Sequence, residues 1–238
     1  MVTNKTDHYA SSAKGITVKA FPDTNGNCSL ELSASDGITD PLTLSRIFPT
    51  NTWLFVCIEY SPDTNLYFIT NVNGSGPTYY DTIKIDAPES IALEEEYWGF
   101  NGNYGNKYYK EHSSCRSVIL YDDIAVWNKD INDREINSYL SKGTTALALN
   151  TPIHYYSCDA AGVSIINETP SKIELSQSQN DFYPERLFDR YGEYYKLCAT
   201  KNNYIRLNEA ICNQFDGNQN FSFGFWFKYS KLPTDSIR

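Results

Sequence analysis

Apolar and polar positions alternate with a period of two along most of this chain. The alternating runs lie at residues 16–20, 29–33, 42–47, 53–60, 66–72, 79–85, 118–127, 154–158, 194–198, 204–207 and 221–229. Turn chemistry separates them: Pro22-Asp23-Thr24-Asn25-Gly26-Asn27, Ser35-Asp36-Gly37, Ser61-Pro62-Asp63-Thr64-Asn65 and Asn73-Gly74-Ser75-Gly76-Pro77. Such residues tolerate positive φ or preset φ near about −65°. Many short strands with regular turns predict an all-β antiparallel sandwich. One short helix interrupts the pattern. Asn132 caps it, Glu135 three residues on completes a capping box, and Ile131 and Ile136 form a hydrophobic staple. Tyr139 and Leu140 share the face of Ile136, so this helix is expected to pack on the sandwich and to carry no chemistry.

Composition sharpens this picture. Aromatics make up 15% of the 238 residues, with 19 Tyr and a single Met, which suits pleated surfaces. The net charge is −9 and no run of Lys and Arg occurs, so the phosphate-neutralising patch that binds nucleic acid is missing. No stretch approaches the roughly 20 apolar residues of a membrane span, and residues 1–7 lack the apolar core of a signal peptide. The expectation is a soluble chain with no membrane span. Six cysteines are too few for a disulfide scaffold, and with no C-x-x-C pair they point away from zinc and thioredoxin-like chemistry. Cys57 shares a face with Phe55 and reads as a buried free thiol; Cys198 and Cys212 flank the 204–207 run, and their pairing stays open. Sequons at Asn4, Asn73, Asn167 and Asn220 are no more frequent than this Asn-, Ser- and Thr-rich composition gives by chance, so they say nothing of secretion.

No catalytic constellation emerges. His8, His112 and His154 are scattered, and the nucleophile-elbow, zinc-protease, phosphate-loop and EF-hand signatures are all missing. Glu94 and Glu96 share a face beside Trp98, but a solvated acidic turn outweighs a catalytic pair there. A binding site fits better. The segment 97–109 interleaves rings, amides and glycines, and offers Trp98, Phe100, Asn101, Asn103, Tyr104 and Tyr108 as ligand contacts. A structural Asn/Gly loop with its rings packed on the sheet is the competing reading. Tyr80, with Tyr79 and Asp81 after the 73–77 turn, forms a second candidate.

Four motifs carry a family resemblance. They are Asn203-Tyr204-Ile205-Arg206-Leu207 followed by Asn220-Phe221-Ser222-Phe223-Gly224-Phe225-Trp226-Phe227-Lys228; Asn51-Thr52-Trp53-Leu54-Phe55-Val56-Cys57-Ile58-Glu59-Tyr60; Leu66-Tyr67-Phe68-Ile69-Thr70-Asn71-Val72-Asn73-Gly74; and the run from Ser117 through Asp122-Asp123 to Glu135-Ile136. Together they resemble the laminin-G-like, concanavalin A-like jelly rolls. The first resembles the opening of such a domain and the last its close, yet the close comes first in this chain. Placing 151–238 ahead of 1–150 restores one complete domain, which implies a single, circularly permuted jelly roll over 1–238, with 143–150 as the joint and 160–193 as an irregular polar connection. The alternative is a chain whose last strands complete the next copy in a head-to-tail or homo-oligomeric assembly.

Trp53 and Trp226 are expected on strands that face the shared core and Trp98 at least partly exposed in a loop, and the resemblance implies that Asp122 and Asp123 are structural. It implies a non-catalytic binding or attachment module for a glycan or protein ligand, at a cell-surface, extracellular or virion-associated location. A structural component of a virion or surface appendage is the alternative, and a glycoside hydrolase or lyase of the same fold the second alternative. No cofactor is expected beyond the calcium ion that such rims hold, for which Asp81, Asn101 and Asn103 are the candidate donors.

Overall fold

The computed structural model describes residues 2–3, 15–35, 40–61, 65–74, 76–84, 99–100, 117–142, 152–158, 176–177, 185–189, 192–198, 205–207 and 220–231. In chain order the elements are β1 (Val2–Thr3), β2 (Gly15–Pro22), β3 (Cys28–Ser35), β4 (Leu42–Phe48), β5 (Trp53–Ser61), β6 (Asn65–Val72), β7 (Thr78–Lys84), β8 (Gly99–Phe100), β9 (Ser117–Trp127), α1 (Asp133–Lys142), β10 (His154–Tyr156), β11 (Ser176–Gln177), β12 (Glu185–Asp189), β13 (Gly192–Cys198), β14 (Ile205–Arg206) and β15 (Phe221–Lys231). Every alternating run overlaps one of these strands. Seven strands form one sheet in the order β11-β14-β8-β1-β2-β3-β4; the other sheet runs β12-β13-β9-β15-β5-β6-β7, with β10 also paired to β9. All the pairings are antiparallel, so the molecule is an all-β two-sheet sandwich.

Strand β15 is the spine of the larger sheet. It pairs along one edge with β5, from Phe221↔Tyr60 to Lys228↔Trp53, and along the other with β9. Its odd positions, Phe221, Phe223, Phe225, Phe227 and Tyr229, are all buried in the core between the sheets, with Leu54, Val56, Ile58 and Tyr60 of β5 beside them. From the opposite sheet Ile16, Val18, Leu30, Leu32 and Ala34 close that core. Phe100 joins the two layers. Its ring lies 4.9 Å from Tyr121, 5.6 Å from Phe223 and 5.5 Å from Phe225, the edge-on and tilted arrangements that aromatic quadrupoles favour. At one rim the edge strands β4 and β7 are bridged by Arg46, whose guanidinium grips the Asp81 carboxylate and lies 4.3 Å over the Tyr79 ring.

Parity along the strands corrects one expectation. Trp53 and Trp226 do not face the core between the sheets, because Leu54 of β5 and Phe225 and Phe227 of β15 do, and side chains alternate. Both tryptophans lie on the outer face of the larger sheet, with Val118, Leu120 and Tyr194. Helix α1 covers the middle of that face. Ile131 and Ile136 pack there on Phe55, Cys57, Ile69, Ala125, Trp127 and Tyr155, with Leu140 and Trp226 partly buried beside them. This makes β5 a strand buried on both faces from Trp53 to Tyr60. Close packing here requires Gly224: a Cβ at this position would lie 3.1 Å from Phe55 Cζ and 3.2 Å from Trp127 Cζ3.

The acidic pair Asp122-Asp123 is structural. Between the pairs Gly224↔Ala125 and Trp226↔Asp122 the register of β9 slips by one residue, a bulge with Asp123 at φ 48°. Asp122 Oδ1 accepts the Asp123 amide at 2.9 Å, and the Tyr155 hydroxyl donates to Asp123 Oδ1. The bulge separates the part of β9 that pairs with β13 from the part that pairs with β10. The 160–193 segment departs from expectation: it holds β11, β12 and the start of β13. β12 is an edge strand with Glu185, Arg186 and Asp189 among its five residues, so charge that discourages edge pairing hides its alternation.

Candidate functional site

The helix start is held in place by a chain of polar contacts. Glu135 N donates to Asn132 Oδ1 at 3.1 Å and Asn132 N to Glu135 Oε2 at 2.9 Å, the reciprocal capping box that the spacing predicts. Glu135 Oε1 also takes Lys129 Nζ at 2.6 Å. Ser222 Oγ of β15 donates to the Lys129 carbonyl at 2.8 Å, and Asn220 Nδ2 to Asp130 Oδ2 at 2.6 Å. Ile131 is thereby seated on the sheet, 5% exposed, and Asn132 and Arg134 project beside it.

Beneath this start, β5, β6 and β7 offer their outward side chains. Glu59 stands opposite Tyr67, and Ile69 opposite Tyr80. The space between sheet and helix start is an open groove of about 480 Å³, lined by Glu59, Tyr67, Ile69, Tyr80, Ile131, Asn132 and Arg134. That volume is in the range of small-ligand sites. Burial grades across it. Glu59 is 9% exposed at the floor, whereas Tyr80 is 45% exposed at the rim and Arg134 is open to solvent. Among the described residues Arg134 makes no ion pair. Burial pushes the Cys57 thiol well up from its ordinary value, and the negative charge of Glu59 pushes it further.

Comparison with known proteins gives no kinship to lean on. No protein-family model, curated protein or solved structure matches this chain. Chemistry at the groove is therefore read from its own residues. Two tyrosine rings, a carboxylate, an amide and a guanidinium around an apolar strip of Ile69 and Ile131 suit a polyhydroxylated ligand, whose C–H faces meet rings and whose hydroxyls meet the polar groups. Among the described residues Glu59 is the carboxylate of the lining.

Of the residues singled out from sequence, Tyr80 lines the groove. Phe100 is a core residue with 0% exposure, because a large ring between two apolar sheets gains most from burial, and it presents nothing to a ligand. Asp81 gives both carboxylate oxygens to Arg46. No cluster of three metal-ligating His, Cys, Asp or Glu occurs among the described residues. Trp98, Asn101, Asn103, Tyr104 and Tyr108, like Glu94 and Glu96, lie outside the described residues, as does Cys212. Cys57 is a buried free thiol, as its place beside Phe55 predicts. Sequence reading passed over Glu59, Tyr67 and Arg134. Glu59 had a signal: a carboxylate in a strand otherwise apolar on both faces, where a charge is costly unless it has a use.

Proposed function

We propose that this protein is a non-catalytic binding module, a circularly permuted concanavalin A-like jelly roll that holds a glycan in the groove between β5–β7 and the start of α1. One observation carries the reading: the rings of Tyr67 and Tyr80, the Glu59 carboxylate, Asn132 and Arg134 converge on one open cavity of about 480 Å³. The permuted order draws support from β15, which pairs between β5 and β9 of its own chain, as the opening strand of such a domain would with its middle and closing strands. A shallow groove buries little ligand area, so single-site affinity is weak and multivalent display raises it. The test is a glycan array probed with the clustered wild-type protein and with Tyr80→Ala. Selective binding that Tyr80→Ala abolishes supports the reading; selective binding that survives it moves the site elsewhere.

A second reading, a component of a larger assembly, rests on β4. This strand ends the smaller sheet, and Leu42 and Ile47 on it are 48% and 61% exposed. An edge strand with apolar side chains that pairs on one side only among the described residues suits pairing with another chain. Concentration-dependent sedimentation that Ile47→Lys abolishes would favour it.

A further inference from the structure

We infer that the edge of β4 is covered by the β4 of a second copy, giving a two-fold dimer whose smaller sheets run on as one; this rests on the assembly reading of β4. The strand is bare where sheet edges are usually protected. Leu42, Thr43, Ser45 and Ile47 are exposed, and β4 keeps one-to-one register with β3 from Cys28↔Phe48 to Ala34↔Leu42, so no bulge turns it away. Its single charge, Arg46, is taken by Asp81. Head-to-tail pairing would set the seven residues of β4 against β11, which among the described residues has two. A two-fold through Ser45 matches all seven instead: Leu42 opposite Phe48, Thr43 opposite Ile47, Leu44 opposite Arg46 and Ser45 opposite itself. Ile47, 61% exposed, then meets another β-branched side chain, and Leu42, 48% exposed, comes beside an aromatic one. Moving the axis to Leu44 or Arg46 would bring Pro41 or Pro49, which have no N–H, into the ladder. Like charges stay apart. Glu31, beside Ser45 on β3, would face its copy across three strand spacings, about 14 Å, beyond the ~8 Å screening length at physiological salt. The two Arg46 would stand diagonally, each carrying its Asp81, so the four charges sum to zero. Opposed side chains of an antiparallel pair point to one face, so the axis runs normal to the sheet. Both larger sheets then lie on the same side, and the two grooves, each with Tyr80 next to Asp81 on β7, open in one direction. Two weak sites thereby engage one glycan-bearing surface together.

Cysteine cross-linking of the full chain tests the axis. Opposed residues of an antiparallel pair have Cα atoms about 4.5–5.5 Å apart, within disulfide reach, so Ser45→Cys should form a covalent dimer with oxidised glutathione. Thr43→Cys alone should not, since its copy lies about 13 Å along the strand, whereas Thr43→Cys mixed with Ile47→Cys should. Wild type treated alike sets the background from the native cysteines. Sedimentation equilibrium of the wild type should show monomer and dimer only, and Ile47→Lys should weaken the dimer at least about tenfold. Should Ser45→Cys not fold, hydrogen exchange of the wild type decides. Amides of β4 that face away from β3 should exchange about tenfold more slowly where about nine-tenths of the chains are dimeric, because exchange runs through the monomer. Cross-linking of Thr43→Cys alone as complete as that of Ser45→Cys overturns the inference, and so does exchange that concentration leaves unchanged. A dimer that Ile47→Lys leaves intact puts the contact elsewhere and overturns it too. Growth past the dimer, lost in Ile47→Lys, overturns the two-fold and leaves the assembly reading; a monomer at every concentration overturns both.

Discussion

On its inner face β15 presents Phe221, Phe223, Phe225, Phe227 and Tyr229 to the core, while on its outer face the same strand presents Ser222, Gly224, Trp226 and Lys228. The inner set is nearly one residue type repeated, and each of its four Phe rings lies against another ring. Those four outer residues differ because each meets a different neighbour. Ser222 ties down the Lys129 carbonyl, Gly224 leaves room for two rings, Trp226 tilts against Phe55 at 5.7 Å, and Lys228 lies 5.6 Å over the Trp53 ring. Uniform burial on one face supplies stability without chemical detail. Individually fitted contacts on the other position a helix start and, beside it, a groove.

This contrast can be broken most forcefully by paired truncations. Phe225→Ala, at 1% exposure, should lower stability in urea by about 3–5 kcal/mol, and Trp226→Ala, only partly buried, by roughly 1–3 kcal/mol. An equal or larger loss for Trp226→Ala would put the main core on the wrong face. Alkaline unfolding gives an intermediate effect. Burial raises the Cys28 thiol from 9.0 to about 12, so the unfolded chain loses its proton first. Stability from this group is whole below pH 9 and is lost as pH rises toward 12, on the order of 1 kcal/mol by pH 10. Urea midpoints compared at pH 8 and pH 10 should fall less in Cys28→Val than in the wild type; parallel falls would mean the thiol is not desolvated. Asn132→Ala should cost about 1 kcal/mol through the lost cap. It should also weaken ligand binding, since the cap fixes Ile131 and Arg134 over the groove. Thermal melts that drop with binding untouched would separate the helix start from the site.

The strands of this fold are legible in sequence because alternation survives wherever one face is buried and turns are chemically marked. The helix was legible residue by residue, down to the reciprocal bonds of Asn132 and Glu135. Two-residue strands such as β1 and β8 are too short to show a period, and β8 carries Phe100 into the core from a segment that reads as a binding loop. Which face Trp53 takes was hidden for another reason. Both faces of β5 are apolar, so alternation there cannot tell inside from outside. The groove was half legible: Tyr80 is marked by its ring beside a turn, whereas Glu59 and Arg134 come to line one groove only through the packing of α1 on the sheet.

The groove as a ligand site on the face that does not build the core is most directly tested by measuring one variant twice. Tyr80→Ala removes a ring that is 45% exposed. Its unfolding free energy in urea should change by no more than about 0.5 kcal/mol, as at exposed positions generally, while its glycan-array signal disappears. An array signal equal to that of the wild type, with the fold equally intact, would contradict the account.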